Sequence, residues 1–284
     1  MRSLDNLSSF ATADRSAQAV IAAEAADPDI RPQSRSILLS HGSRTRRAVL
    51  LLHGYRHGPE QMDELARDFF TRGYNVWIPR APGHGTTDRR AERRITVESL
   101  TTYASQGMDI ADGLGDEVGV VGISAGGILA AWLAQHRSDT VRRVLLFSPF
   151  FAPSPRQVPA LMVRPLIFLY GHGLLPDHIT SRGYSLATIS RYLAIARDLS
   201  SPSGRTGLRS IAVAFSPLDD VVDTVAATAV PGRIADAAGI PVHTLLLPES
   251  LGFGHNTLAL SGRPDAGRLR EQYIQLYEGQ RSTR

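Results

Sequence analysis

A single serine lies between two clusters of small residues near the middle of this 284-residue chain. The segment 117–135 reads EVGVVGISAGGILAAWLAQ, so that an apolar run over 118–123 ends at Ser124 and a helical pattern begins directly after it. The pentapeptide GISAG at 122–126 matches G-x-S-x-G, which holds a reactive serine on a sharp, strained turn between a strand and a helix. The pattern predicts Ser124 as a nucleophile. The alternative is a glycine-rich turn in which Ser124 is only a polar helix N-cap.

Apolar strands and amphipathic helices alternate along most of the chain. Strands are predicted at 36–40, 48–52, 74–79, 118–123, 141–148, 210–215 and 242–247. Helices are predicted at 10–26, 62–70, 97–112, 125–136 and 269–277. This alternation indicates an α/β protein with a mainly parallel central sheet that is covered by helices on both faces. The short link between the first two strands indicates, in addition, that these two form an antiparallel hairpin.

The regular alternation stops near residue 150. Residues 152–208 contain prolines at 153, 155, 159, 165 and 176, and we predict that they form a helical cap insertion. The rest of the chain is then an N-terminal helical extension at 1–35 and a core formed by 36–151 and 209–284. Apolar residues of the insertion are expected to line a pocket for an acyl group, and they are Leu161, Met162, Val163, Leu166, Ile167, Phe168 and Leu169.

The amino-acid composition excludes several classes of chemistry. The chain contains no Cys and no Lys, so all 31 basic residues are Arg. It therefore has no thiolate nucleophile, no cysteine-ligated zinc, no lysine Schiff base and no P-loop lysine. We expect neither a cofactor nor a metal ion.

Charge and hydropathy bear on the partners and the location of the protein. The formal net charge is +4, and the densest basic cluster consists of Arg89, Arg90, Arg93 and Arg94. This cluster has no interleaved aromatic residues, so we interpret it as solvated and expect no nucleic-acid partner. Because no apolar stretch is long enough for a membrane span and the first residues resemble no secretory signal, a cytoplasmic location is expected. The oligomeric state is left open.

A serine nucleophile needs a base and a carboxylate that orients this base, and on such a sheet the chain order is serine, acid, histidine. His255 lies in the loop GFGHNTL after the last predicted strand and is the predicted base. The preceding strand at 210–215 leads directly into a loop that carries Asp219 and Asp220. One of the two is predicted to orient the imidazole, and an Asx-rich turn before a helix is the alternative for this pair.

An acyl-transfer site also needs donors for the oxyanion. The segment 53–54, His-Gly, ends an apolar strand, and its glycine permits a close approach of the backbone. We predict that the N–H groups of Tyr55 and Ala125 are the two donors. Arg56 and His57 follow in the same loop, within reach of a substrate.

Five motifs taken together resemble the α/β-hydrolase superfamily. They are LLLHGYRHGPEQM at 50–62, GYNVWIPRAPGHG at 73–85, GISAGG at 122–127, the region around Asp219, and the Gly-His pair that ends at His255. The resemblance covers 48–150 and 210–280, and within the superfamily it is greatest to bacterial carboxylesterases and monoacylglycerol lipases with a small cap. His84 belongs to the loop signature of the superfamily, where we expect it to stabilise a turn.

The resemblance implies a function and a role for each site residue. Ser124 would attack the carbonyl of an ester with a short to medium apolar acyl group, and His255 would act as the base. A D-x-x-V register selects Asp219 as the orienting acid and leaves Asp220 to cap the following helix. Ala125 departs from the family, which often has a larger residue after the serine. The alternatives are hydrolysis or acyl transfer at a C–C, amide or thioester bond, and a non-catalytic binding protein.

Overall fold

The computed structural model describes residues 2–88, 91–181, 183–199 and 207–280. Arg89 and Arg90 of the basic cluster lie outside these ranges, as do residues 182 and 200–206 of the insertion. In the described residues one sheet has seven strands in the order β1-β3-β2-β4-β5-β6-β7. The strands are β1 (Ile37–Leu39), β2 (Thr45–Leu52), β3 (Tyr74–Ile78), β4 (Gly115–Ile123), β5 (Val141–Phe147), β6 (Ser210–Phe215) and β7 (Val242–Leu246).

The predicted hairpin between the first two strands is wrong. β1 pairs antiparallel with β3, where Ile37 lies opposite Ile78, while β2 pairs in parallel with β3 on one side and β4 on the other. β3 thus lies between two strands, and all five of its residues are buried. The three residues of β1 are half-buried, which suits a short strand to the edge of a sheet. All other strand pairs are parallel, which confirms the predicted sheet type.

Helices cover both faces of the sheet, as predicted. They are α1 (Arg2–Ala26), α2 (Asp63–Thr71), α3 (Val97–Leu114), α4 (Ala125–His136), α5 (Ala160–Gly171), α6 (Leu186–Arg197), α7 (Thr224–Ala238) and α8 (Ala266–Tyr277). α3, α4 and α7 pack against one face, and α2 and α8 pack against the other. Among the described helices, none combines the length and the hydropathy that a membrane crossing requires.

The parallel strands bring distant parts of the chain to one edge of the sheet. Strands β2 to β7 all end at this edge, because they run in the same direction. The loops after β2, β4, β6 and β7 therefore meet there, and such an edge is where α/β proteins place their ligands. The four loops carry Tyr55, Ser124, Asp219 and His255, respectively.

The N-terminal helix α1 is fastened to the core by a buried carboxylate. α1 packs along α3, and the Glu24 carboxylate accepts hydrogen bonds from the Ser36 N–H at 2.6 Å and from the Ser36 hydroxyl at 3.0 Å. The same carboxylate pairs with the Arg80 guanidinium at 3.1 Å, and both side chains are largely buried. The extension and the core thus share a buried ion pair.

Glu24→Ala is expected to lower the free energy of unfolding by about 3 kcal/mol, because the Arg80 guanidinium would stay largely buried without its carboxylate. Chemical denaturation measures this loss. Asp63→Ala is the control, since it removes an ion pair to the more exposed Arg67 and should cost less than about 1 kcal/mol. Equal losses in the two variants would contradict the anchoring of α1 by Glu24.

Candidate active site

Ser124 occupies a strained turn between β4 and α4. Its backbone angles are φ 55° and ψ −115°, which non-glycine residues rarely adopt and which cost on the order of 1–3 kcal/mol. The next strand in the sheet holds the turn from both sides. The Ser124 N–H donates to the Phe147 carbonyl at 2.9 Å, and the Phe150 N–H donates to the Ser124 carbonyl at 3.1 Å.

Two glycines make this turn sterically possible. A Cβ atom on Gly122 would lie 2.2 Å from the Gly126 carbonyl oxygen, and one on Gly126 would lie 2.2 Å from the carbonyl oxygen of Leu52. Both contacts are far shorter than van der Waals contact. The G-x-S-x-G pattern is therefore a steric requirement of the strand–turn–helix junction.

The structure brings Ser124, His255 and Asp219 into one chain of hydrogen bonds. The His255 Nε2 atom lies 2.8 Å from the Ser124 Oγ, and its Nδ1 lies 2.8 Å from the Asp219 Oδ2. A carboxylate only accepts, so Nδ1 carries the hydrogen and Nε2 is left to accept from the serine hydroxyl. This arrangement aligns the imidazole for removal of the serine proton.

The carboxylate of Asp219 is buried and held by the backbone. Its Oδ1 accepts hydrogen bonds from the Val221 N–H at 2.9 Å and from the Val222 N–H at 3.3 Å. Burial by itself would raise the pKa of Asp219. The hydrogen bonds from His255 and from these two N–H groups outweigh burial and leave the pKa below its ordinary value. Asp219 is thus ionised at neutral pH and fixed in orientation.

Asp220 does not cap the following helix, and this prediction is wrong. Its side chain is exposed, and α7 begins only at Thr224. The N-cap is Asp223, whose Oδ1 accepts from the Val225 N–H at 2.9 Å and from the Ala226 N–H at 3.3 Å. An N-cap must directly precede the first helical residue, and the turn around Asp219 places this position at residue 223.

The loop after β2 is held close to the serine. The Gly54 N–H donates to the Gln61 Oε1 at 2.8 Å, and a Cβ atom on Gly54 would lie 3.5 Å from the Ser124 Cβ. Tyr55 and Ala125 line the same cavity as Ser124. Over the described residues, the N–H groups of these two donate to no protein acceptor. The two N–H groups can therefore donate to a group bound in this cavity.

Two buried histidines, His53 and His84, pack against this loop. The Ala81 N–H donates to the His53 Nε2 at 2.9 Å, so the His53 Nδ1–H donates to the Gly54 carbonyl at 3.0 Å. Burial and then the neighbouring His84 lower the pKa of His53 to about 3, so the ring stays neutral and keeps both bonds. The His84 Nδ1 lies 2.8 Å from the Pro82 carbonyl, which is the turn contact expected for this residue.

A cavity of about 380 Å³ opens onto Ser124 and His255. The insertion supplies an apolar wall to it, formed by Val158, Val163, Leu166, Leu186, Ile189 and Leu193. The side chains of His57, Gln61, Thr180, Ser181 and Asn256 provide polar groups elsewhere on its surface. The cavity is therefore apolar toward the cap and has separate polar positions.

The predicted cap wall is correct only in part. Of the seven residues proposed for it, only Val163 and Leu166 line the cavity, while Leu161 is 89% exposed and Phe168 is 56% exposed. The missing part comes from α6, with Leu186, Ile189 and Leu193. Their spacing of three and four residues is visible in the sequence and marks one face of a helix. The part of the chain that is described has no cluster of His, Asp or Glu arranged for a metal ion.

Comparison with known proteins identifies the family of this chain. A family model described as serine aminopeptidase, S33 matches residues 43–201, more than half of the chain. A thermostable monoacylglycerol lipase of Bacillus sp. (strain H-257) is 31% identical over 144 residues, which are 49% of this chain and 51% of that protein. A pimeloyl-[acyl-carrier protein] methyl ester esterase of Aromatoleum aromaticum is 28% identical over 60% of this chain and 64% of its own length. The chain thus spans about half to two thirds of these curated relatives.

A solved structure extends the likeness in fold to nearly the whole chain. A soluble variant of the Saccharomyces cerevisiae monoglyceride lipase superimposes with a TM-score of 0.65 at 13% identity. The superposition covers 87% of this chain and 92% of the yeast chain. This likeness concerns the fold alone. The family match and the fold together show that the chain is an α/β-hydrolase that belongs to the Hydrolase_4 family, the serine aminopeptidase S33 group.

Proposed function

We propose that this protein is a serine hydrolase that cleaves carboxylic esters through an acyl-enzyme intermediate. The observation that carries the proposal is the hydrogen-bonded chain from Ser124 through His255 to Asp219 at the floor of a mainly apolar cavity. Ser124 attacks the ester carbonyl while His255 takes its proton and returns it to the leaving alcohol. The N–H groups of Tyr55 and Ala125 stabilise the oxyanion. Water then hydrolyses the acyl-serine by the same steps.

The cavity favours an ester of an apolar acid with a small polar alcohol. Its apolar wall from the cap suits a hydrocarbon chain, and the polar groups of His57, Gln61 and Asn256 suit the alcohol portion. Ligand cavities commonly have volumes of roughly 300–1,000 Å³, so this one, at about 380 Å³, is small. We therefore propose short to medium acyl chains. The activities named for the two curated relatives, on a monoacylglycerol and on a methyl ester, support the same class of bond.

Labelling with a fluorophosphonate probe and a panel of esters test the proposal. We expect covalent labelling at Ser124, and turnover of p-nitrophenyl esters and monoacylglycerols that is highest for short to medium acyl chains. A folded protein that neither reacts with the probe nor hydrolyses any ester of the panel would contradict the proposal.

Aminopeptidase activity is the alternative that the family description raises. Such an enzyme binds the positively charged α-amino group of its substrate, and a carboxylate is the usual partner of a buried ammonium. No Asp or Glu side chain is among the described residues that line the cavity. The cavity therefore favours an uncharged acyl group, and amino-acid p-nitroanilides tested beside the esters separate the two activities.

Val163→Phe is expected to shorten the acyl chain that the protein accepts, because Val163 lines the cavity from α5. The ratio kcat/KM for the longest accepted ester should fall at least about tenfold, while acetyl esters change little. Leu161→Phe is the matched control, since this side chain lies two residues away and is 89% exposed. A chain-length profile that is the same in both variants would exclude α5 from the acyl site.

A further inference from the structure

A short segment of the cap rests directly on the loop after β2. The Tyr55 hydroxyl accepts a hydrogen bond from the Ser185 backbone N–H at 3.1 Å and donates to the Glu92 carboxylate. The Tyr55 ring lies against Tyr184 and Tyr192, with centroids 5.6 and 6.4 Å apart. One side chain of the loop thus contacts both the cap and the segment after β3.

The next residue of the loop reinforces this contact. Arg56 has a φ of 67°, and its guanidinium carbon lies 5.7 Å from the centroid of the Tyr184 ring. A Cβ atom on Gly183 would lie 2.3 Å from the Arg56 Nη1. The cap segment 183–185 is therefore in close contact with two consecutive residues of the loop after β2, Tyr55 and Arg56.

The cap end of this contact is the beginning of helix α6. Ser185 is the N-cap of α6, because its hydroxyl oxygen accepts from the Thr188 N–H at 3.0 Å. The Thr188 hydroxyl donates to the Glu92 carbonyl at 3.2 Å. α6 also carries Leu186, Ile189 and Leu193, which form part of the apolar wall of the cavity. A movement of α6 away from the core must therefore break the hydrogen bond from Ser185 to Tyr55.

Tyr55 faces the site through its backbone and the cap through its side chain. Its N–H is one of the two donors proposed for the oxyanion. Burial and the hydrogen bond to Glu92 raise the pKa of Tyr55 far above its ordinary value, so the hydroxyl stays protonated and donates to Glu92 throughout the neutral range. The phenol is thereby held at a fixed position between two partners.

We propose that Tyr55 is a positioning residue that couples the placement of the cap to the geometry of the oxyanion hole. This role rests on the proposed ester hydrolysis. With α6 seated, the Ser185 N–H and Glu92 fix the phenol, and the Tyr55 N–H is aimed at the oxyanion. With α6 displaced, the Tyr55 hydroxyl loses its hydrogen bond from the Ser185 N–H, and the Tyr55 N–H no longer points at the oxyanion. Acyl transfer is then fast only when the cap lies over the substrate.

Tyr55→Phe removes the hydroxyl and keeps both the ring and the backbone N–H. We expect kcat to fall about 10- to 100-fold, which is less than the loss on complete removal of an oxyanion donor. KM should stay within about threefold. A trifluoromethyl ketone, which mimics the tetrahedral oxyanion, should bind more weakly by the same factor as kcat/KM falls. Binding of the product carboxylic acid should not change, and this contrast separates positioning from general damage to the fold.

Tyr74→Phe is the matched control. The Tyr74 hydroxyl also donates to a carboxylate, that of Glu278 at 2.7 Å, but it lies at the amino end of β3, on the opposite edge of the sheet from the site. This variant loses the same kind of bond and should keep kcat within about twofold. If Tyr55→Phe matches Tyr74→Phe in kcat and in ketone affinity, the proposed role of Tyr55 is overturned.

Two substitutions at Ser185 test the cap side of the contact. Ser185→Pro deletes the N–H that reaches Tyr55, and the φ of −73° at this position is one that proline adopts. Ser185→Ala deletes the same helix cap but keeps the N–H, so the difference between the two variants isolates the hydrogen bond. We expect the larger loss of kcat in Ser185→Pro, and no further loss when it is combined with Tyr55→Phe. Independent, multiplying losses would contradict the coupling.

The test also distinguishes this role from the proposed function. Wild-type protein that turns over esters beside a fully active Tyr55→Phe variant removes only the positioning role. Wild-type protein that is inert toward esters and the fluorophosphonate probe overturns ester hydrolysis, and the role of Tyr55 with it.

Discussion

Ser124→Ala is expected to abolish ester hydrolysis, with kcat lowered by about 10⁴- to 10⁶-fold. The substitution removes the oxygen proposed to attack the carbonyl and leaves the backbone unchanged. The hydrogen bonds that hold the turn, to the Phe147 carbonyl and from the Phe150 N–H, involve backbone atoms and survive. The melting temperature should therefore stay close to that of the wild type. Steady-state kinetics on the best ester and thermal unfolding measure both quantities, and a folded, fully active variant would refute Ser124 as the nucleophile.

Ser148→Ala is the matched control for this experiment. Ser148 also has a positive φ, 40°, and it directly follows β5, which pairs with the strand that leads to Ser124. Its buried hydroxyl has no hydrogen-bond partner among the residues described. Its removal should leave activity intact and should not lower stability, because no bond is lost. A loss of activity in both variants would point to damage at the strand ends instead of to nucleophilic catalysis.

Asp219→Asn is expected to lower kcat by about 10⁴-fold with little change in melting temperature. The amide oxygen can still accept from the Val221 and Val222 N–H groups, so the loop keeps its shape. The amide nitrogen then faces the His255 Nδ1 and donates to it, which favours the tautomer with hydrogen on Nε2. In this tautomer the imidazole cannot accept the proton of Ser124. The neutral amide also fails to stabilise the imidazolium.

Two neighbouring aspartates supply the controls. Asp220→Asn should keep kcat within about tenfold, since the Asp220 side chain is exposed and Asp219 makes the contact with His255. Asp223→Ala should keep activity but lose about 1 kcal/mol of stability, because it removes the N-cap of α7. An active Asp219→Asn protein beside an inactive, folded Asp220→Asn protein would reverse the assignment of the acid.

The sequence was sufficient where one local pattern has one structural solution. The run that ends at Ser124 can continue into a helix only through a glycine-flanked turn, so strand, turn and helix were all readable. Chain order and strand ends then pointed to His255 and to the pair Asp219 and Asp220, because parallel strands deliver their following loops to one edge. The D-x-x-V register of the resembling family selected Asp219 from this pair. The structure joins Ser124, His255 and Asp219 in one chain of hydrogen bonds.

Sequence reasoning failed where the local sequence allows two arrangements equally well and tertiary packing decides between them. The link between β1 and β2 is short enough for a hairpin, but β3 lies between these two strands and pairs with both. Leu161 and Val163 are both apolar residues in the first turn of α5, and only the placement of that helix exposes one and buries part of the other. The contact between Tyr55 and Ser185 joins residues 130 positions apart and leaves no local signal.

The position of the cap between β5 and β6 also determines when a growing or refolding chain acquires its chemistry. The turn at Ser124 can be complete once β2, β4 and β5 have paired. The proposed base, His255, lies 131 residues further along the chain, beyond β7. Contacts of such long range form late, since the loop must close before any of them contributes. A partly assembled chain therefore holds Ser124 without its proposed base. The proposed acyl transfer can begin only after β7 has joined the sheet and His255 has reached Ser124.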